Sequence, residues 1–300
     1  MNTNSNLKWL YLVLLSLIWG SSFILMKRGL VYFTPPQVAA IRLTVAFAAS
    51  FPLALSGYKN IKAKDWKYIA VPGVIGSGIP AILFSTAQTH LNSSLAGMLN
   101  SLTPLFTLIV GAMFFRFRFS TYHIAGVLLG FIGAAGLMLI RADGLYMENG
   151  GYALLIIIAT LFYGISVNTI KAKLNHISAL TISGWGLLFA TIPYSIYLFC
   201  FSDFTLRLHM ETGAWMGLGY IATLGIMGTA LSNLLYFHMV KISSPLFASA
   251  VTYFIPIVAL GWGVMDDEKL QLLHLIAFGF ILAGVALISI RQTKKKNQET

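Results

Sequence analysis

Long apolar runs separated by short polar connections cover almost the whole chain. Each run holds roughly 20 residues, the length that a helix needs to cross a hydrocarbon layer about 30 Å thick. Strands of a membrane barrel would show strict alternation over about 10 residues, which is not seen here. The pattern predicts an all-α polytopic membrane protein with about ten transmembrane helices. In chain order the predicted helices are Lys8–Arg28, Pro35–Leu55, Trp66–Thr89, Leu95–Phe115, Tyr122–Arg141, Gly151–Lys171, Ala179–Phe201, Gly213–Val240, Pro245–Met265 and Leu272–Arg291.

Two of these runs share one design. Ala96–Phe115 and Ala248–Asp267 each carry a proline, and aligning Pro104 with Pro256 gives an offset of 256 − 104 = 152. Polar and small side chains share one helical face of the first run: Asn100, Thr103, Thr107 and Gly111. Because proline removes a backbone donor and frees carbonyls, we interpret Pro104 and Pro256 as hinges of two equivalent helices that face each other across a transport path.

Further markers indicate an internal repeat. Gly20 and Lys27 of the first half correspond to Gly164 and Lys171 of the second half, both at an offset of 144 (164 − 20). An odd number of helices in each repeat forces the second copy into the opposite orientation, a known plan among transporters. We therefore divide the chain into a first five-helix repeat (1–142), a second inverted five-helix repeat (150–291) and a basic cytoplasmic tail (292–300).

Composition and charge agree with a membrane location. The chain is 57% hydrophobic and 10% charged, whereas soluble domains average about 45–50% apolar and about 25% charged residues. Most Lys and Arg residues fall in alternate connections, which predicts both termini in the cytoplasm and a multi-pass protein of the cell (inner) membrane. The net charge of +11 is scattered without interleaved aromatics, so we expect no nucleic-acid partner.

Several short motifs in a fixed order carry a family resemblance. They are Trp19-Gly20-Ser21-Ser22-Phe23 with Lys27, Pro35-Pro36, Ala40-Ile41-Arg42-Leu43, Ala96, Pro104-Leu105, Gly126 to Gly133, Tyr163-Gly164, Pro256 and Gly284. With them the sequence resembles the EamA-type branch of the drug/metabolite transporter superfamily. The resemblance implies a central cavity lined by helices one, three, four, six, eight and nine, and a cargo of amino acids, other metabolites or drugs. One departure is Phe115-Arg116, where the family often has Gly-Glu; the second repeat keeps an acid, Glu268.

A cavity that binds a small solute needs polar and aromatic groups near the membrane midplane. Amides offer donors and an acceptor to a polar or zwitterionic solute, and aromatic rings offer apolar walls. The predicted substrate-binding residues are Trp19, Gln88, Asn100, Thr107, Tyr163, Asn168, Asn233, Tyr236 and Tyr253. For each amide the alternative is a hydrogen bond that only holds two helices together, worth roughly 0.6 kcal/mol.

Arg42 is the strongly ionisable residue that falls well inside a predicted helix. A charge within the membrane is a functional hypothesis by default, and Arg42 would attract an anionic group. The alternative is an arginine that extends toward the interface and pairs with backbone carbonyls. Asp and Glu are missing from the middle of every predicted helix, which favours a facilitator or exchanger over a carboxylate-gated proton antiporter.

The leading hypothesis is efflux of a small organic metabolite by alternating access, with the solute and the lipid bilayer as partners. A membrane-embedded enzyme would need paired acids or a His cluster, and a sensor would usually carry a soluble domain. The sequence shows neither, so we expect no enzyme activity, no cofactor and no metal. Gly126, Gly130 and Gly133 form a small-residue stripe on the fifth predicted helix; packing within the bundle and a homodimer are both open.

Overall fold

A computed structural model describes residues 3–115, 121–141, 144–145, 150–268 and 271–296. Within these ranges the long helices form units that we number α1 to α10. They are α1 (Thr3–Leu30), α2 (Pro35–Ala54), α3 (Ala63–Ala87), α4 (Ser93–Asn100 and Thr103–Phe115), α5 (Thr121–Leu139), α6 (Gly150–Lys173), α7 (Ala179–Phe201), α8 (Ala214–Ile242), α9 (Pro245–Ser249, Ala250–Tyr253 and Ile255–Met265) and α10 (Leu272–Lys296).

The prediction of an all-α polytopic membrane protein is confirmed. In the described part of the chain, eight of these units, α1 to α4 and α6 to α9, are long and apolar enough to cross a membrane. The tenth unit contains a shorter apolar helix, Leu272–Gly284. Between the units lie a 3₁₀ turn, Leu55–Asn60, a short helix, Phe204–Met210, and an antiparallel pair of two-residue strands, Ile140–Arg141 with Gly144–Leu145.

α3 and α8 are not the continuous α-helices that the sequence predicts. Each contains a π-helical segment, Val71–Gly78 in α3 and Ile226–Leu231 in α8. A π-helical turn leaves carbonyls without their usual partners, and side chains of other helices supply donors. The indole N–H of Trp19 reaches the Gly228 carbonyl at 3.1 Å, and the Tyr194 hydroxyl reaches the Gly78 carbonyl at 3.1 Å. The widened turns are thus held in place from outside their own helices.

The paired units α4 and α9 are both interrupted at the same relative position. A turn at Ser101 and Leu102 divides α4, and a 3₁₀ segment, Ala250–Tyr253, divides α9. The Ser101 hydroxyl donates to the Thr252 carbonyl at 2.9 Å, so the two breaks meet. The sequence pattern predicts that Asn100 and Thr107 share one helical face. The turn between them interrupts the helix, so that prediction is wrong.

Each proline lies just after its break, at the second residue of Thr103–Phe115 and of Ile255–Met265. In the first turn of a helix the missing N–H of a proline has no helical partner to lose. Pro104 and Pro256 therefore begin new helical segments rather than bend continuous ones. Their role as hinges stays a prediction.

The two halves pack on each other through equivalent contacts. A Cβ added to Gly20 of α1 would lie 2.4 Å from Cβ of Val258 in α9. A Cβ added to Gly164 of α6 would lie 2.8 Å from the backbone carbon of Phe106 in α4. Val258 and Phe106 differ by the same 152 positions as the two prolines. Each first helix of one half thus crosses the fourth helix of the other half, and only glycine allows the approach.

α5 and α10 pack against each other. A Cβ on Gly133, within the predicted small-residue stripe, would lie 2.5 Å from the Ala277 carbonyl oxygen of α10. In the described residues this part of the stripe therefore serves packing inside the chain. The homodimer stays a prediction.

Candidate functional site

A cavity of about 90 Å³ lies between the two halves. Since a cavity needs roughly 10–15 Å³ to hold one water molecule, the space suits several waters or one small solute. Its lining comes from α1, α3, α4, α6, α8 and α9, the six helices that the resemblance implies, and also from α2, through Arg42. Both π-helical segments and the 3₁₀ segment of α9 contribute lining residues, and Asn100 and Thr103 line the cavity on either side of the break in α4. Irregular backbone thus borders the cavity, where it is tolerated within a membrane.

Aromatic side chains form two walls of the cavity. Trp19 and Tyr236 meet edge to face, with ring centroids 5.1 Å apart. Phe84 and Tyr163 lie stacked at 6.1 Å. All four rings line the cavity. Such rings offer flat apolar surface together with polar edges, which suits a solute that has an apolar body.

Polar groups from four helices point into the same space. The Asn233 amide nitrogen donates to the Ser77 hydroxyl at 3.2 Å, which links α8 to α3. Nε of Arg42 donates to the Thr229 hydroxyl at 2.7 Å, which links α2 to the π-helical segment of α8. Asn100 lines the cavity at the end of the first segment of α4. The site thus combines apolar walls with a few fixed hydrogen-bonding groups, the usual composition of a small-molecule site.

Five of the nine predicted substrate-binding residues line this cavity. They are Trp19, Asn100, Tyr163, Asn233 and Tyr236. Arg42 also lines it, so its side chain faces the interior instead of extending to an interface. Whether these residues bind substrate stays a prediction.

The other four predicted residues are not among the lining residues. Gln88 donates to the Phe23 carbonyl at 3.1 Å, and Thr107 donates back to the Thr103 carbonyl at 2.8 Å. Asn168 donates to the carbonyls of Thr107 and Gly164, at 2.9 and 2.8 Å. Tyr253 lies in the 3₁₀ segment of α9. In this conformation Gln88 and Asn168 make the interhelical bonds that were the alternative to a binding role.

Two pairs of lining residues were missed from the sequence. Gly76 and Ser77 of α3 correspond to Gly228 and Thr229 of α8 at the offset of 152 (228 − 76). The offset is the one defined by Pro104 and Pro256, so it was a signal that sequence reasoning had available. A Cβ added to Gly76 would lie 2.4 Å from the Ser166 hydroxyl oxygen, and one added to Gly228 would lie 2.7 Å from the Ser22 hydroxyl oxygen, so the two glycines allow serines of α6 and α1 to approach the widened turns.

A cluster of charged and polar groups joins the ends of α1 and α9 to the beginning of α4; we call it the Glu268 cluster. Its members are Lys27, Arg28, Ser93, Ser94, Asp266 and Glu268. The Glu268 side chain is only 2% exposed. Its carboxylate accepts from the backbone N–H groups of Ser93 and Ser94, at 2.9 and 3.0 Å, and from the Ser94 hydroxyl at 2.6 Å. A carboxylate at a helix N-terminus satisfies amides that have no helical partner.

Lysine and arginine complete the Glu268 cluster. Nζ of Lys27 lies 3.0 Å from Glu268 and 2.6 Å from Asp266, and Arg28 pairs with Asp266. Lys27, one of the markers of the internal repeat, therefore joins two acids. We call this side of the bundle the Lys27 face. Side chains from three helices are linked there by ion pairs and hydrogen bonds.

The acids of this cluster are held in their charged form. Burial would raise the pKa of Glu268, but hydrogen bonds from Ser94, from Lys27 and from two backbone amides outweigh it and lower the pKa. The hydrogen bond from Lys27 lowers the pKa of Asp266, and nearby Arg28 adds to the effect. Both carboxylates remain ionised at neutral pH.

On the opposite side, the Lys171 face, the helices are linked by different groups. Nζ of Lys171 donates to the carbonyls of Lys241 and Ser243, each at 2.9 Å. Lys171 lies 144 positions after Lys27, yet it ties α6 through carbonyls to the last turn of α8 and to the residue that follows it. Arg116, which stands at the position equivalent to Glu268, lies outside the described residues. The shared framework thus carries different chemistry on its two faces.

A polytopic helical bundle that encloses a solute-sized cavity is the architecture of a membrane transporter. The chain belongs to the EamA-like transporter family, whose profile matches residues 7–139 and again residues 151–290. It is accordingly a multi-pass membrane transporter rather than an enzyme.

Relatives agree with this assignment, and a solved structure shares the fold. An "Uncharacterized transporter" of Archaeoglobus fulgidus is 25% identical over 94% of this chain and 98% of its own length. A "Probable terminal-alkyne amino-acid exporter" of Streptantibioticus cattleyicolor is 23% identical over 96% of this chain and 95% of its own. A chain solved by crystallography superposes with a TM-score of 0.66 at 15% identity, covering 97% of this chain and 98% of that one. That last likeness concerns the fold alone.

Proposed function

We propose that this transporter exports a small organic, amino-acid-like metabolite by alternating access, with the cavity between its halves as the binding site. The observation that carries the proposal is the cavity itself, which joins aromatic walls from Trp19 and Tyr236 to the polar groups of Asn100 and Asn233. The Streptantibioticus relative, named a "Probable terminal-alkyne amino-acid exporter", supports both the direction and the class of cargo.

The breaks in the helices supply the moving parts of the proposed cycle. Ser101 and Thr252 join the two breaks by one hydrogen bond of 2.9 Å, and the segments beyond Pro104 and Pro256 pivot there. On the Lys27 face, opening requires Glu268 to release the amides of Ser93 and Ser94.

Orientation follows from the distribution of Lys and Arg. The positive-inside rule places both termini in the cytoplasm of the host cell. The Lys27 face, where α1 ends, then faces outward, and the Lys171 face is cytoplasmic. In an exporter the solute enters the cavity from the Lys171 face and leaves past the Glu268 cluster.

The proposed transport does not use a protonatable acid in the cavity. Among the described residues that line it, none is Asp, Glu or His. We therefore favour facilitated diffusion or exchange over proton antiport.

Counterflow in liposomes tests the proposal. Purified protein is reconstituted into liposomes loaded with an unlabelled mixture of the twenty amino acids, and entry of the same mixture in labelled form is recorded. A transporter of this class accumulates label by exchange, and Asn100→Leu reduces the rate while the protein remains folded. Entry equal to that of protein-free liposomes, both in counterflow and under an imposed gradient, would refute the proposed cargo.

A further inference from the structure

We infer that the cargo carries net negative charge, and that the Arg42 guanidinium binds its carboxylate or another anionic group. The inference rests on the proposed transport function and narrows it to a charge class. It follows from the surroundings of Arg42, which lines the cavity from α2.

The guanidinium has unused donors inside the bundle. Arginine offers five N–H groups in a rigid fork. The N–H at Nε donates to the Thr229 hydroxyl at 2.7 Å. Among the described residues this is the hydrogen bond that the guanidinium makes. That bond orients the side chain and leaves the two terminal nitrogens available to a ligand. This pair of nitrogens can bind a carboxylate in a bidentate manner.

The charge of Arg42 has no counter-charge in the cavity. Among the described lining residues there is no Asp or Glu, and the other polar groups are amides and hydroxyls such as those of Asn100, Ser166 and Asn233. A charged side chain within the membrane is normally paired. An anionic solute supplies the missing partner on binding, whereas a cation would add a second positive charge to the same space.

The remainder of the cavity agrees with a carboxylate that has an uncharged body. Trp19 and Tyr236 provide flat surface, and Asn100 and Asn233 provide neutral hydrogen-bonding groups. No described lining group carries the negative charge that would balance an ammonium. The site therefore favours an acid over the zwitterionic amino acid of the same skeleton, and both over the corresponding amine.

An anionic cargo also explains how export runs without a protonatable acid on the path. A cell interior is electrically negative, so each 100 mV favours outward movement of a monovalent anion by about 50-fold in the concentration ratio. The membrane potential alone then drives export by a uniporter. This expectation distinguishes the inference from neutral exchange.

The test uses solutes matched in shape and different in charge. Liposomes containing the purified protein are loaded with three trios, built on tyrosine, leucine and glutamine. Each trio holds the amino acid, the acid that lacks its amino group, and the amine that lacks its carboxylate. Efflux is followed by mass spectrometry, with protein-free liposomes subtracted, at zero potential and at an inside-negative potential set by potassium and valinomycin.

The expected result is efflux of at least one acid about tenfold faster than of its matched amine, accelerated by the inside-negative potential. Arg42→Gln should abolish that preference, and Arg42→Lys, which keeps the charge without the fork, should retain part of it. Lys59→Gln removes an equal charge from an exposed position and serves as the control.

Three outcomes separate the claims. Faster efflux of amines, or an acid preference that survives in folded Arg42→Gln, overturns the anion inference while transport itself stands. If Arg42→Gln does not fold, the charge preference of the wild type and of Arg42→Lys decides. Efflux of no solute from any trio counts against the proposed function, and the inference falls with it.

Discussion

Lys27 and Glu268, 241 positions apart in the chain, form an ion pair of 3.0 Å that joins the end of α1 to the end of α9. The same carboxylate binds the first amides of α4. Three helices that border the cavity are thus held together by one nearly buried acid. The position 152 residues earlier in the chain holds Arg116 instead of an acid, so it cannot supply the same carboxylate.

Removing the charge of Glu268 should weaken this link between the three helices. In Glu268→Gln the amide cannot replace the charge-assisted bonds, each worth about 1.5–3 kcal/mol, so the Lys27 face opens more often. With Cys200→Ser as background, a cysteine at Ser22, a cavity position, should react severalfold faster with an impermeant thiol reagent added on the Lys27 face. Glu211→Gln, which alters an exposed ion pair, is the control. Equal labelling rates in the two variants would show that Glu268 does not hold this face closed.

The Glu268 cluster should be insensitive to pH over the physiological range. The pKa values of Glu268 and Asp266 are lowered in the folded protein, so their stabilisation is complete above the ordinary values near 4. It is lost only as pH falls through the lowered values. The difference in unfolding midpoint between wild type and Glu268→Gln should stay constant from about pH 5 to 8 and shrink below about pH 4. A difference that shrinks between pH 6 and 8 would contradict the ionised cluster.

Replacement by leucine should affect stability at Asn168 and transport at Asn100. Asn168→Leu removes bonds between α6 and α4, and should cost stability, about 0.6 kcal/mol and at most about 1.7, with little effect on transport per folded molecule. Asn100→Leu places an apolar group in the cavity and should lower the transport rate about tenfold, while the unfolding midpoint changes little. The two variants are compared by thermal unfolding and by liposome counterflow. Reversed effects would exchange the roles of the two residues.

The crossing contacts between halves should not tolerate a methyl group. Gly20→Ala and Gly164→Ala each place a Cβ under 3.0 Å from atoms of the facing helix, and should destabilise the fold by about 1–3 kcal/mol. Gly261→Ala in α9 is the matched control, since no atom lies within 4 Å of its added Cβ; it should be neutral or stabilising by about 0.4–1 kcal/mol. Midpoints of unfolding in detergent measure all three. Equal midpoints for Gly20→Ala and Gly261→Ala would refute the close crossing.

The sequence predicted what depends on regular patterns. The lengths of the apolar runs predicted the helices. The offset between Pro104 and Pro256 also relates Phe106, which faces Gly164, to Val258, which faces Gly20. It could not predict the π-helical turns, because their stability comes from distant donors such as Trp19 and Tyr194. Nor could it separate cavity amides from packing amides, since Asn100 and Asn168 are chemically identical and differ only in what surrounds them.

The position of the Arg42 side chain also could not be predicted from the sequence. In an apolar run an arginine can extend its side chain toward the membrane interface, or it can place its charge inside the bundle beside polar partners. The sequence of α2 alone is compatible with both. The choice was made by α8, whose π-helical segment presents Thr229 to Nε. Information of that kind lies in the packing of the two halves and is invisible to a scan along one helix.

The central claim is that the cavity is the binding site of an alternating-access carrier. A single cysteine at Ser77, which lines the cavity, in a Cys200→Ser background, tests it most directly in liposomes of known orientation. We predict that an impermeant thiol reagent reacts with this cysteine from either face, that transported solute slows the reaction, and that modification stops counterflow. Full modification of the cysteine with unchanged counterflow would contradict the claim.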